Sequence, residues 1–277
     1  MQAARNLRQK IDAEDTIVTG MLATFHFWPG MVELAMNAGL DYLIIDLEHL
    51  THDHAAVADA CAIGRRADFP ILIRPPAAEF TPLRLAMDLG PCGLLVPYVE
   101  SPATMQLIQE AVYLKPRGRR RPGGPGNFWV PDVSYETWRS TVEDHLIILP
   151  QIESRAGLAE ADAIAAHPLT TAIAVGPYDL SADLGCCWDA DAPELRDALD
   201  RIRAAGRSAG KNMWMIGDGP SLVDRGFDFL CITEPVMFLQ AKLAEYDRAT
   251  KARATSPAPD TTPAAPPAYP RSPAAES

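Results

Sequence analysis

A chain of 277 residues with 48% hydrophobic content is long enough for one large α/β barrel or two ordinary domains, and apolar enough for a sizeable core. Its 25 basic and 36 acidic residues give a net charge of −11, which argues against a protein that tracks nucleic-acid phosphates. No stretch approaches a transmembrane span, residues 1–20 lack the apolar core of a signal peptide, and five cysteines without C-x-x-C spacing argue against a disulfide or zinc framework, so a cytoplasmic protein is expected.

Residues 1–16 read as a helical lead-in. The first strand-like run, 17–23, precedes an aromatic segment from Phe25 to Trp28 and a helical stretch over 31–38. The second run, 42–45, ends in Asp46-Leu47-Glu48-His49. A histidine at a strand end has a pKa suited to proton transfer near neutrality, although plain surface is the alternative, as it is for His52 and His54. A helix over 55–65 leads to the third run, 71–73, and then to Arg74, whose forked donors suit a carboxylate or enolate oxygen. The helix over 81–89 carries Asp88, read either as a hydrogen-bonding orienter of His49 or as an ordinary helix residue.

The fourth run, 93–96, and a helix over 103–114 come before PRGRRRPGGPGNFWVP, residues 116–131. Loops of that length are functional or disordered. Placed after a strand, this one would bring Arg119, Arg120 or Arg121 to the catalytic rim to meet an anionic substrate; the alternative is a solvated basic loop. The fifth run, 146–149, ends in Gln151-Ile152-Glu153, and a helix over 155–166 follows. The sixth, 172–175, ends in Gly176-Pro177-Tyr178-Asp179. A helix over 193–209 separates it from the seventh and eighth runs, 213–216 and 229–232. Residues 251–277 are rich in Pro, Ala, Ser and Thr with almost no apolar anchors, and are expected to be disordered.

Eight short apolar runs alternating with helices predict an α/β protein, a single-domain (β/α)₈ TIM barrel over residues 17–250, with an open doubly wound sheet as runner-up. Ligands bind such folds at the C-terminal rim of the strands. Glu153 and Asp179, just past consecutive strand ends, share that rim and suit a hard cation such as Mg²⁺ or Mn²⁺. The alternative is that Glu153 caps the next helix and Asp179 steadies a turn.

The strings IDLEH, LIRPP, DLGPCGLLVPYVES, GRRR, QIESRAG and GPYDLSADLG, in this order, resemble the HpcH/HpaI aldolases, class II metal-dependent pyruvate aldolases related to the citrate lyase β-subunit. The likeness runs from about Gly20 to about Tyr246. It implies a barrel whose Glu153 and Asp179 hold Mg²⁺, Mn²⁺ or Co²⁺. A 2-oxo acid would contact Arg74, Gln151, Gly176, Pro177 and Tyr178. His49, paired with Asp88, would act as base through water, Arg74 would stabilise the enolate, and Asp46 and Glu48 would stand behind them. The partners implied are a small 2-oxo acid and an aldehyde or other electrophile. The assembly implied is a hexamer built from dimers, with the helix around Met237 to Tyr246 packing on a neighbour.

Three stretches depart from the family pattern: the RRRPGGPGNFW loop, the first strand with its following aromatics, and the bulky Met213-Trp214-Met215. All three are expected where the acceptor sits. Oxaloacetate decarboxylation is the implied side activity. A biosynthetic carbon–carbon bond-forming enzyme, a CoA-thioester lyase or citrate-synthase-like enzyme, and a non-catalytic 2-oxo acid binder are the alternatives.

Overall fold

Runs of branched aliphatic residues without polar alternation form strands only where both faces are covered, which is the condition inside a parallel barrel. The computed structural model describes residues 1–13, 16–130 and 134–254. Its strands are β1 (Val18–Ala23), β2 (Tyr42–Asp46), β3 (Ile71–Arg74), β4 (Gly93–Val96), β5 (Ile147–Ile152), β6 (Ala172–Val175), β7 (Asn212–Ile216) and β8 (Phe229–Thr233). They pair in sequence order, all parallel, and β1 pairs with both β2 and β8. The sheet is therefore closed, and the open-sheet alternative falls.

The helices are α1 (Gln2–Asp12), α2 (Met31–Asn37), α3 (His54–Arg66), α4 (Phe80–Asp88), α5 (Pro102–Val112), α6 (Tyr135–Thr141), α7 (Arg155–Ala159), α8 (Ala161–Ala166), α9 (Pro177–Leu184), α10 (Pro193–Ser208), α11 (Gly219–Asp224) and α12 (Pro235–Ala254). In α10 the buried residues Leu195, Ala198, Leu199, Ile202, Ala205 and Gly206 recur at helical spacing, so a single apolar stripe faces the sheet. The helix expected over 155–166 is two, α7 and α8, separated at Glu160.

The lead-in helix α1 seals the side of the barrel where strands begin. Ala3, Ala4, Leu7 and Ile11 are buried. Arg8 Nη2 donates to the Leu146 carbonyl at 2.7 Å, and Asn212 Nδ2 donates to the Ile11 carbonyl at 3.0 Å. Inside the barrel, Trp214 Nε1 donates to Tyr42 Oη, which donates to the Leu230 carbonyl, each at 2.8 Å. The Tyr42 ring meets Phe229 edge-on, with centroids 5.4 Å apart. A Cβ on Gly20 would lie 2.4 Å from the Tyr42 ring, so only glycine leaves room for it on β1. Trp214 therefore belongs to the barrel core with Met213 and Met215, all three buried, and the acceptor-facing role expected of this stretch is corrected.

The Pro/Gly/Arg loop also lies elsewhere than expected. It follows α5 rather than a strand, and leads toward β5, on the side where strands start. Arg120 is buried there, Arg119 pairs with Glu110 at 2.7 Å, and Trp129 Nε1 donates to the Gly90 carbonyl at 3.1 Å. A cavity of about 690 Å³ lined by Phe80, Leu114, Tyr135 and Trp138 lies along this loop.

The chain divides into two units, Met1–Pro235 with the barrel and a second from Val236 onward. Helix α12 runs to Ala254, past the expected barrel end at residue 250, and exposes Met237, Phe238, Leu239, Leu243 and Tyr246. From residue 255 the expected tail lies outside the described residues. Among the described residues no helix is long and apolar enough to cross a membrane.

Candidate active site

Parallel register sets the first half of the site. Asp46 and Arg74, the last residues of β2 and β3, are direct partners across the ladder. Arg74 Nε donates to Asp46 Oδ1 at 2.9 Å and Nη2 to Oδ2 at 2.5 Å, a two-pronged pair that fixes the guanidinium plane. Both residues are buried. Burial alone would raise the Asp46 carboxyl, but the hydrogen bonds and charge of Arg74 outweigh it and hold the group below its ordinary value. Glu48 Oε2 lies 3.2 Å from Arg74 Nε and accepts no hydrogen bond. Half-exposed His49 completes the group, with Nδ1 3.2 Å from Asp46 Oδ2 and 2.9 Å from Arg74 Nη2.

Those two neighbours of Nδ1 demand opposite tautomers. Arginine can only donate, so its bond requires a bare Nδ1, whereas the bond to Asp46 requires Nδ1–H. Only the second leaves Nε2 bare to accept a proton.

The second half is carried by β5 and β6. Glu153 follows β5 and is buried, with Oε2 accepting from the Tyr98 backbone N–H at 3.1 Å. Gly176 follows β6 beside it: a Cβ there would lie 2.3 Å from Glu153 Oε1 and 2.7 Å from Gln151 Nε2. The missing side chain is the space the carboxylate occupies. Glu153 caps nothing, since the α7 cap is Ser154, whose hydroxyl accepts from Gly157 N at 3.1 Å. Asp179 lies in the first turn of α9 behind Pro177 and exposed Tyr178, where a negative charge is favoured by the helix dipole.

Burial, then the charges of Glu48 and Asp179, push the Glu153 carboxyl up to about 8. Burial likewise raises Glu48, with Asp46 and Asp179 adding to it. Gln151 Oε1 is buried and accepts nothing. Asp46, Glu48 and Glu153 thus act on the Arg74 guanidinium, Asp179 adds its charge to Glu48 and Glu153, and oxygen acceptors are left unsatisfied. This is the donor set and charge excess that suits a hard divalent cation. Asp46, Glu48 and His49 also bring donor atoms within 4.8 Å of one another, but Arg74 already supplies their cation.

Asp88 is not brought to His49. It ends α4, which runs from the rim back to the start of β4, and its carboxylate accepts from Arg84 at 2.8 Å and from Arg120 at 3.0 Å. Among the described residues His49 faces Asp46, Glu48 and Arg74, so Asp46 holds the orienting place assigned to Asp88. His52 is buried against Phe27 rather than on the surface, with ring centroids 5.8 Å apart. Tyr98 is a residue the sequence reading missed; nothing in Val-Pro-Tyr announces a backbone donor to a carboxylate at the neighbouring strand's end.

The profile described as HpcH/HpaI aldolase/citrate lyase matches residues 25–216. Hydroxypyruvate/pyruvate aldolase of Roseovarius nubinhibens is 32% identical over 214 residues, 76% of this chain and 83% of that protein. A 4-hydroxy-2-oxovalerate aldolase of Rhodococcus jostii is 30% identical, covering 76% and 82%. Among solved structures, an HpcH/HpaI aldolase from Desulfitobacterium hafniense superposes with a TM-score of 0.78 at 26% identity, over 90% of this chain and 96% of that one.

Proposed function

Because this chain belongs to the HpcH/HpaI aldolase/citrate lyase family and is a carbon–carbon lyase, we propose that it makes or breaks that bond through the enolate of a 2-oxo acid, with a divalent cation held by Glu153 and Asp179. The name borne by the Roseovarius nubinhibens relative favours pyruvate or hydroxypyruvate as the donor. The observation that carries the reading is the meeting, on one rim, of a buried carboxylate pushed to about 8 and an arginine fixed edge-on by Asp46.

When bound, the cation supplies Lewis-acid polarisation of the 2-oxo acid. The chain's own residues do the rest. Gln151, beside Gly176, would receive the planar acid, with Pro177 and Tyr178 at its edge. Asp46 occupies Nε and Nη2 of Arg74, so Nη1 is the donor offered to the oxygen that gains charge as the enolate forms. In the cleavage direction His49 Nε2 takes the proton of the aldol hydroxyl, directly or through water. The carbon–carbon bond breaks, its electrons become the enolate, the aldehyde leaves, and the proton returns to the enolate carbon. Asp46, holding Nδ1–H, keeps Nε2 in the accepting tautomer.

The same enolate arises from oxaloacetate by loss of CO₂, so decarboxylation is the expected side activity. The exposed apolar residues of α12 support assembly with further copies, up to the hexamer that the resemblance implies. Five free cysteines support a cytoplasmic setting. The test is a screen of pyruvate, hydroxypyruvate and oxaloacetate against an aldehyde panel, with Mn²⁺ and with EDTA. Product with Mn²⁺ and none with EDTA is the expected outcome; equal turnover in EDTA overturns the metal assignment.

A further inference from the structure

Tyr98 adopts φ +51°, the left-handed region that side chains other than glycine rarely enter. It sits just past the end of β4, on the rim, and the conformation is not that of a slack surface turn. Its N–H donates to Glu153 Oε2 at 3.1 Å, the next residue's N–H (Val99) donates to the Gln151 carbonyl at 3.0 Å, and Ser154 Oγ donates to Glu100 Oε1 at 2.5 Å. Three successive residues of one rim loop are thus latched onto the segment that carries Gln151 and Glu153. An uncommon backbone conformation persists only where its surroundings hold it, and such residues gather at functional sites.

We propose that Tyr98 is a positioning residue, whose left-handed backbone aims one N–H at Glu153 and fixes that carboxylate for cation binding. The inference rests on the proposed role of Glu153. An ordinary negative φ at residue 98 would swing the N–H out of line with Oε2 and leave a buried carboxylate free to rotate. Gly176 closes the other side, so Glu153 is held between a donor and a wall. The phenol has no part in this: the ring is half-exposed, and the work is done by the main chain.

Backbone and side chain separate cleanly by substitution. Tyr98→Val places a β-branched residue where φ is positive, Tyr98→Gly removes the ring and accepts the conformation, and Tyr98→Phe removes only the hydroxyl. The readout is Mn²⁺ binding to the substrate-free protein, by calorimetry and by the electron paramagnetic resonance signal of free Mn²⁺, with thermal unfolding of the metal-free proteins alongside. Partners that orient a metal ligand are worth 10–100-fold in affinity. Tyr98→Val is expected to weaken Mn²⁺ binding about tenfold or more, while Gly and Phe stay within about threefold of wild type. Wild-type affinity in Tyr98→Val, or an equal loss in Tyr98→Gly, overturns the inference. Glu153→Gln is the separate control: if it binds Mn²⁺ like wild type, the metal assignment itself fails.

Discussion

A carboxyl raised from its ordinary 4.5 to about 8 makes the metal-free barrel carry a pH-dependent penalty that one substitution removes. For an acid whose folded value lies above its unfolded one, the protonated group contributes stability fully below the unfolded value. That contribution is lost as pH rises through the folded value. Here the window runs from 4.5 to about 8. At 1.36 kcal/mol per pH unit the limit is about 5 kcal/mol, and rearrangement of the rim reduces it to roughly 2–5 kcal/mol. Glu153→Gln keeps an oxygen for the Tyr98 N–H and removes the charge. Treated with chelator at pH 8, it should be more stable than wild type by that amount, or roughly 4–10 °C in melting temperature for a barrel this size. At pH 4.5 the two proteins should melt together. Excess Mn²⁺ should raise the wild-type midpoint at pH 8 by mass action and leave Glu153→Gln unmoved. A variant less stable than wild type at pH 8, or a difference that does not change with pH, refutes the reasoning.

Gly176→Ala would place a methyl 2.3 Å from Glu153 Oε1, so it should abolish Mn²⁺ binding and turnover while circular dichroism still reports a folded barrel. Arg74→Ala should lower kcat/KM by about 10²–10³, the scale of losing one oxyanion donor, and Arg74→Lys should recover little because an ammonium cannot copy the fork held by Asp46. Asp88→Ala strands the buried Arg120 guanidinium and should cost about 3–5 kcal/mol, read from urea unfolding.

The strands were legible because burial on both faces writes itself as unbroken apolar runs: seven came within one residue of their observed ends, while β5 runs three residues past the expected 149, through Pro150 and the polar Gln151 that interrupt its apolar run. The places of Glu153, Asp179, Asp46 and Arg74 on the rim were legible for the same reason: each lies at or just past a strand's end. The Arg119 to Arg121 stretch was misplaced because a loop's side of the barrel depends on whether a helix or a strand precedes it, and α5 intervenes. Asp88 was misassigned by the same geometry, being on a helix that carries it away from the rim. Trp214 was read as facing an acceptor because the pattern of a doubly buried strand does not say which side chains turn inward. Tyr98 left no trace, since φ +51° at a tyrosine follows from the latch around it and not from its own preference.

Exchange of the pyruvate methyl protons with D₂O, followed by proton NMR without any aldehyde, isolates enolate formation from the rest of the reaction. With Mn²⁺ or Mg²⁺ present, the wild-type protein should exchange the methyl protons. EDTA, Glu153→Ala, Asp179→Ala and Arg74→Ala should each suppress that exchange. Exchange that persists in EDTA or at wild-type rate in Arg74→Ala would contradict a metal-supported enolate held at this rim.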